Sequence, residues 1–282
     1  MTPIKNISNP LVSVNWLQKE LNNENLIILD ATIPKVSGNE ELKKEQLPNA
    51  LFFDIKNVFS NTLSEFPNTI LSPEEFELKA QKLGVNTDSL IVVYDNWGIY
   101  SSARVWWLFK TFGFNNIAVL DGGLPKWKEL GFSTVKPSKK EIKKGNFKVS
   151  FKSDLLVNTQ EVLTAIKNDF CIVDARSEDR FSGIVPEPRK GLRSGHIPNS
   201  VNLPYTSLFN HDGTFLSKEK LQTIFLNINK NNYPYFFTCG SGVTACILAL
   251  ASELIDSEVQ YSIYDGSWTE WGSNPNLPII TS

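Results

Sequence analysis

Cysteine and histidine are both scarce in this chain of 282 residues, which has three of the first and two of the second. Cys171, Cys239 and Cys246 make an odd count with no CxxC spacing, which argues against a disulfide framework and against a zinc site. His196 and His211 alone cannot build a multi-histidine metal centre. Positive charge is not in excess either: 28 Lys and Arg against 30 Asp and Glu give a net charge of −2. That balance leaves no basic footprint for nucleic acid, and no apolar run approaches the roughly 18 residues of a membrane span. The opening stretch MTPIKNISNPLVSVNWLQKEL has neither the pattern of a secretory leader nor the Arg-rich character of a transit peptide. The expectation is a cytoplasmic protein acting on small molecules, with no nucleic-acid or membrane partner. What the chain does have is 41% hydrophobic and 11% aromatic residues, enough for one large core or two ordinary ones.

The halves repeat at an offset of 144 residues. LIILDAT, with Asp30, matches CIVDARS, with Asp174; AVLDGGLPKW, with Asp121, matches SIYDGSWTEW, with Asp265. LPNALFFD pairs with IPNSVNLP at a larger offset, because the second half carries an insertion before that point. In each half, short β-branched and aromatic runs alternate with helix-like segments such as SPEEFELKAQKLG and NTQEVLTAIKND, each opening on a capping residue. Such alternation implies an α/β fold with a mainly parallel sheet flanked by helices, and ligands bind at the carboxyl ends of such strands. We expect a first domain over 1–136, a solvated lysine-rich linker over 137–147 and a second domain over 148–282.

The stretch YFFTCGSGVTACILALASEL combines these cues. Tyr235 to Thr238 reads as a buried strand, GSG as a tight turn and Val243 to Leu254 as a helix. Cys239 then stands at a strand's carboxyl end, before a helix N-terminus. Successive N–H groups of such a turn can converge on one point, and the helix dipole adds positive charge there. The arrangement favours an anion: a thiolate, or the outer sulfur of a persulfide. Cys171 and Cys246, in apolar surroundings, read as buried core residues.

From about Val12 to Pro278 the chain resembles the two-domain rhodanese superfamily, and within it the 3-mercaptopyruvate sulfurtransferase branch. The specific element is CGSGVT, comprising Cys239, Gly240, Ser241, Gly242, Val243 and Thr244. The resemblance implies two tandem rhodanese-like domains, the first catalytically silent, with Asp95 where the second has Cys239, and an active site between them. It implies Cys239 as the nucleophile, Ser241 as a catalytic partner and the remaining loop residues as the substrate cradle. Thiosulfate-preferring members usually carry basic residues at the second and third loop positions, which here are the neutral Gly240 and Ser241. A donor with its single charge on a remote carboxylate needs a separate clamp, and Arg180 and Arg189, in RFSG and EPR of the insertion, look like that pair; Arg193 is a weaker candidate. The implied cycle passes sulfur from 3-mercaptopyruvate through a Cys239 persulfide to a thiol such as thioredoxin, or to cyanide, with no metal or organic cofactor.

Two positions depart from the pattern. The family's usual histidine aligns with Asn68 and a usual acid with Lys56, and neither replacement relays protons as the originals would. This leaves protonation of the leaving enolate to Ser241 through water, or points to a different donor. His196 reads as structural and His211 as a surface turn, while Arg104, Trp106 and Trp107 read as packing residues. Of the rival readings, a phosphatase is opposed by Ala245 where its loop would end in arginine. A thiosulfate:cyanide sulfurtransferase and a non-turnover persulfide carrier stay open.

Overall fold

The computed structural model describes residues 6–35, 45–138 and 141–281. These form two compact units, the first drawn from within Met1–Asn61, Ile70–Lys152 and Asn210–Phe215, the second from within Thr62–Thr69, Ser153–Phe209 and Leu216–Ser282. Each unit thus includes a short segment from the other half of the sequence.

The first unit runs β1 (Leu11–Val12), α1 (Val14–Glu20), β2 (Leu26–Asp30), β3 (Leu51–Phe52), α2 (Pro73–Lys82), β4 (Leu90–Tyr94), α3 (Ser102–Thr111), β5 (Ile117–Leu120) and α4 (Gly123–Glu129). Its strands pair in parallel in the order β1-β5-β4-β2-β3. The central strand β4, LIVVY, is buried at all five positions, as a strand covered by helices on both faces must be. Helix α2 starts where Ser72 and Glu75 form a reciprocal capping box behind Pro73, as the sequence suggested.

The second unit repeats the plan with β6 (Leu156–Val157), α5 (Thr159–Ala165), β7 (Cys171–Asp174), α6 (Glu178–Phe181), β8 (Val201–Asn202), α7 (Lys218–Ile228), β9 (Tyr235–Thr238), α8 (Ala245–Ile255), β10 (Tyr261–Tyr264) and α9 (Ser267–Trp271). The order β6-β10-β9-β7-β8 is the first unit's order over again. Both sheets are five-stranded and all their pairings are parallel. Helix α8 starts at Ala245 instead of Val243, because Cys246 and Ile247 donate their N–H groups to Val243 and Thr244 and tighten the entry turn.

The expected linker differs at its far end. Residues 139–140 lie outside the described residues, and 141–144 are exposed, but Gly145 donates to the Gln81 carbonyl and Phe147 to that of Val85. The Phe147 ring is buried against Phe76, Phe109 and Phe114, and the first unit extends to Lys152. The buried Phe147 ring and the bonds to Gln81, Val85 and Glu77 together tie this stretch to the first unit. Among the described residues no helix is long and apolar enough to cross a membrane.

Candidate active site

The second unit's loop begins at the carboxyl end of β9. Cys239 is almost fully buried there, while Gly240 and Thr244 are partly open to solvent. Gly242 turns the chain at φ +72°, a conformation that glycine adopts without steric cost. The loop's N–H groups divide into two sets. Those of Cys239 and Gly242 point inward to Ser267 Oγ, at 3.2 and 3.1 Å, and the Ser267 hydroxyl itself donates to the Tyr264 carbonyl at 2.7 Å. The sequence reading had Gly242 in the substrate cradle, and its N–H group is committed to Ser267 instead. Those of Gly240, Ser241, Val243 and Thr244 have no acceptor among the described residues.

The first unit displays what such a loop holds. At the position related to Cys239 stands Asp95, whose Oδ2 accepts from the N–H groups of Tyr100, Ser101 and Ser102 at 2.8 to 2.9 Å, and whose Oδ1 accepts from Trp97 at 2.9 Å. A carboxylate carried by the chain itself thus fills that cradle at the start of α3. Applying the 144-residue offset, the equivalent positions in the second unit are Ser241, Thr244, Ala245 and Cys246, around a side chain that ends in sulfur; the Cys246 N–H is already given to the Val243 carbonyl, which leaves those of Ser241, Thr244 and Ala245 as the matching donors. Arg104, Trp106 and Trp107 lie fully buried on α3, with the Arg104 guanidinium 4.5 Å from the Trp107 ring.

Above Gly240 the two predicted arginines come together. A Cβ added to Gly240 would lie 3.1 Å from Arg180 Nη2 and 3.9 Å from Arg189 Nη1, so both guanidiniums stand over this residue and a side chain here would press on that of Arg180. Arg180 is held from behind by Glu187, and Arg189 Nη2 donates to Ser241 Oγ at 3.2 Å. Glu187 also accepts from Arg176 Nη1 at 2.8 Å, and Arg176 grips both oxygens of Asp174 while stacking 4.1 Å from the Trp268 ring. The network of Asp174, Arg176, Glu187 and Arg180 is charge-neutral, and Arg189 adds one positive charge.

Asn68, which belongs to this unit, donates from Nδ2 to Ser241 Oγ at 3.0 Å and to the Ser241 carbonyl at 3.2 Å. Arg193 is not brought to the loop. It donates to the carbonyls of Gly272, Leu277, Trp271 and Asn274 and pins the chain after α9. His196 stacks on the Phe181 ring at 3.8 Å, with Nδ1 2.9 Å from the Phe181 carbonyl. Because a carbonyl only accepts, Nδ1 carries the proton. His211 is exposed in the first unit, and Lys56 is exposed as well. Cys246 is buried and donates to the Gly242 carbonyl at 3.3 Å; burial pushes the Cys171 thiol up to about 11. Among the described residues no group of three or more His, Cys, Asp or Glu is placed to hold a metal ion.

Glu187 and Ser267 are the site residues that sequence reasoning missed. Glu187 lay in plain view in EPR, next to a predicted clamp residue. Ser267 carries a subtler signal, since the repeat places Gly123 opposite it. Both have positive φ, +53° and +49°, and in the first unit a Cβ at Gly123 would collide with the carbonyls of Gly98 and Asp95.

A model of the rhodanese-like domain matches twice, over residues 13–130 and 158–274. The chain belongs to the rhodanese family. Among other rhodanese-family proteins it is 37% identical to the mitochondrial thiosulfate/3-mercaptopyruvate sulfurtransferase 1 of Arabidopsis thaliana, over 96% of this chain and 78% of that one. It is 34% identical to the 3-mercaptopyruvate sulfurtransferase of Escherichia coli K12, over 95% of this chain and 96% of that one. The crystal structure of SseA from Escherichia coli, a 3-mercaptopyruvate sulfotransferase with the rhodanese fold, superposes with a TM-score of 0.81 at 31% identity, covering 93% of this chain and 99% of that one.

Proposed function

We propose that this rhodanese-family protein is a 3-mercaptopyruvate sulfurtransferase that stores sulfur as a persulfide on Cys239 and passes it to a thiol acceptor, releasing pyruvate. The observation that carries the reading is the open cradle around Cys239, set beside its counterpart filled by the Asp95 carboxylate. An anion one bond beyond Cys239 Sγ would meet the counterparts of three of the four N–H groups that Asp95 meets, those of Ser241, Thr244 and Ala245, and the outer sulfur of a persulfide is such an anion. By the same comparison the first domain is catalytically silent, since its cradle carries its own anion and no nucleophile.

The donor is read from charge. The arginine and acid network balances to zero, and Arg189 adds a single positive charge, which suits one carboxylate better than a thiosulfate dianion. Glu187 takes Nε and Nη2 of Arg180; Nη1, together with Arg189, can bind the carboxylate and keto oxygen through charge-assisted hydrogen bonds. The Cys239 sulfur attacks the donor sulfur, an S–S bond forms and the C–S bond breaks, and its electron pair leaves as the enolate of pyruvate. The proton that the enolate gains is balanced by the one lost from the donor's S–H group. A second thiol, such as that of thioredoxin or a small dithiol, or cyanide in vitro, then removes the outer sulfur, giving ping-pong kinetics.

A thiosulfate activity is the second reading, favoured by the plant relative, whose name carries both donors. The site of action proposed is the cytoplasm, although the same plant relative is mitochondrial. The test is pyruvate release and cyanide-dependent sulfur transfer with 3-mercaptopyruvate and thiosulfate side by side, with Cys239→Ala as the blank. The expected result is a mercaptopyruvate preference that vanishes in the blank. A thiosulfate preference would exchange the donors, and a single turnover without steady-state release would make the protein a carrier.

A further inference from the structure

We propose that Asn68 is a positioning residue that fixes Ser241 as a hydrogen-bond donor to the leaving enolate, so that the serine stabilises charge without joining a proton relay. The proposal rests on the mercaptopyruvate reading. Its basis is the hydrogen-bond inventory of one hydroxyl. A serine Oγ offers one hydrogen and accepts at two positions. Asn68 Nδ2 lies 3.0 Å from it and Arg189 Nη2 lies 3.2 Å away. The Arg189 nitrogen can only donate. The Asn68 amide is fixed in orientation because the same Nδ2 is 3.2 Å from the Ser241 carbonyl, an atom that can only accept. Both accepting positions of Ser241 are therefore filled by donors, and its own hydrogen must point elsewhere. No described residue accepts it, and a ligand seated by Arg180 and Arg189 over Gly240 would.

Neither an amide nor a guanidinium takes up a proton in the working pH range, so Ser241 cannot hand its proton to either neighbour. The hydroxyl stays a hydroxyl and acts as one donor of an oxyanion hole, aimed at the keto oxygen on which charge grows as the C–S bond breaks. The methylene carbon takes its proton from water, balanced by the S–H proton the donor sulfur gives up. Asn68 is well placed for this duty: it is buried and its backbone sits at φ +65°, a region that Asn and Asp tolerate better than other side chains. The charged and titratable groups around Ser241 in this unit are Arg189 on its hydroxyl, Arg180 over Gly240, Glu187 behind Arg180, and the Cys239 thiol.

The test replaces the donor by an acceptor of the same shape. In Asn68→Asp the Ser241 hydroxyl turns to the carboxylate and is lost to the enolate. The expected result is a fall in kcat for pyruvate release of roughly 30-fold or more, with KM changed far less. Thiosulfate turnover, whose sulfite leaving group forms no enolate, should hold within a few-fold, and together with an unchanged melting temperature it verifies folding. Combining Asn68→Asp with Ser241→Ala should cost no more than Ser241→Ala alone. Asn68→His restores a ring N–H donor and should recover most of kcat while adding an ionisation near pH ~6.5 that the wild type lacks. Equal losses with both donors, or a wild-type pH profile unchanged in Asn68→His, would overturn the proposal. If the wild type released no pyruvate at all, the mercaptopyruvate reading would fail and this inference with it. Pyruvate release that Asn68→Asp leaves intact would remove the inference alone.

Discussion

Glu187 holds Arg180 by two of its nitrogens, accepting from Nε at 3.2 Å and from Nη2 at 2.5 Å, with its own side chain only 1% exposed. A buried carboxylate is stable only when its lone pairs are matched, and Arg176 supplies the remaining donor from within the core. Arg180 is thereby tied through one acid to a second arginine, Arg176, which is buried in the core. In Glu187→Gln the amide keeps the shape but turns donors toward guanidinium donors. Arg180 should then swing free, raising KM for mercaptopyruvate about tenfold while thermal unfolding registers a loss on the order of 3 kcal/mol for the broken pair. Steady-state kinetics and calorimetry on one preparation measure both. A loss of stability with KM unchanged would show that Arg180 does not touch substrate.

Ser267 tests the inner side of the loop. Ser267→Ala leaves two buried N–H groups, of Cys239 and Gly242, without their acceptor. At about 1–3 kcal/mol for each unsatisfied group, a drop of about 2–6 kcal/mol is expected, with kcat lowered as the Cys239 backbone relaxes. Ser267→Gly removes the same acceptor but relieves the strain of a side chain at φ +49°. It should therefore be more stable than the alanine variant and no more active. A glycine variant with full activity would show that the hydroxyl does not set the loop.

How far the sequence went follows from which contacts are local. The parallel α/β plan of each half and the start of α2 were legible because strand periodicity, capping residues and the 144-residue repeat are all written in short stretches. Cys239 was legible because strand, glycine turn and helix adjoin it directly. Arg180 and Arg189 were legible as a pair, but their meeting over Gly240 depends on how a long loop folds back, which spacing does not state. Asn68 could be marked as a departure, yet its contact with Ser241 spans 173 positions, and no local pattern encodes it. The Ser267 hydroxyl was hidden because its role is visible only by contrast with Gly123. The packing of Phe147 was masked by the lysines before it, whose solvation dominates any composition window.

The three cysteines should separate chemically. Burial raises the Cys171 thiol to about 11, so it stays protonated and inert through pH 7 to 9. After one turnover with mercaptopyruvate and no acceptor, peptide mass mapping should place the added sulfur atom on the Cys239 peptide and leave Cys171 unmodified. Cys171→Ser should retain turnover within about twofold, apart from a modest stability loss for a polar group placed in an apolar strand. Sulfur found on Cys171 in folded protein would contradict the assignment of the cradle.

The pH dependence of stability has a contributor outside the site. In the first unit, burial raises the Asp121 carboxyl from 3.8 to about 6, partly offset by the N–H of Phe215, which donates to Oδ1 at 2.9 Å. The folded-state value lies above the unfolded one, so folding favours the protonated acid. Its contribution to stability is complete below about pH 4 and is lost as pH rises through 6. At pH 7 the folded chain therefore carries a buried charge it would be better without. Asn at this position keeps the Oδ1 acceptor for Phe215 and removes the charge. Asp121→Asn should accordingly be more stable than the wild type at pH 7, by on the order of 1–2 kcal/mol after allowance for screening and for nearby Lys126, and the gap should close at pH 4. Denaturant titrations at the two pH values measure it. An asparagine variant less stable at pH 7 would mean that the carboxylate's ion pairing outweighs its burial, and that the sign inferred from desolvation is wrong at this position.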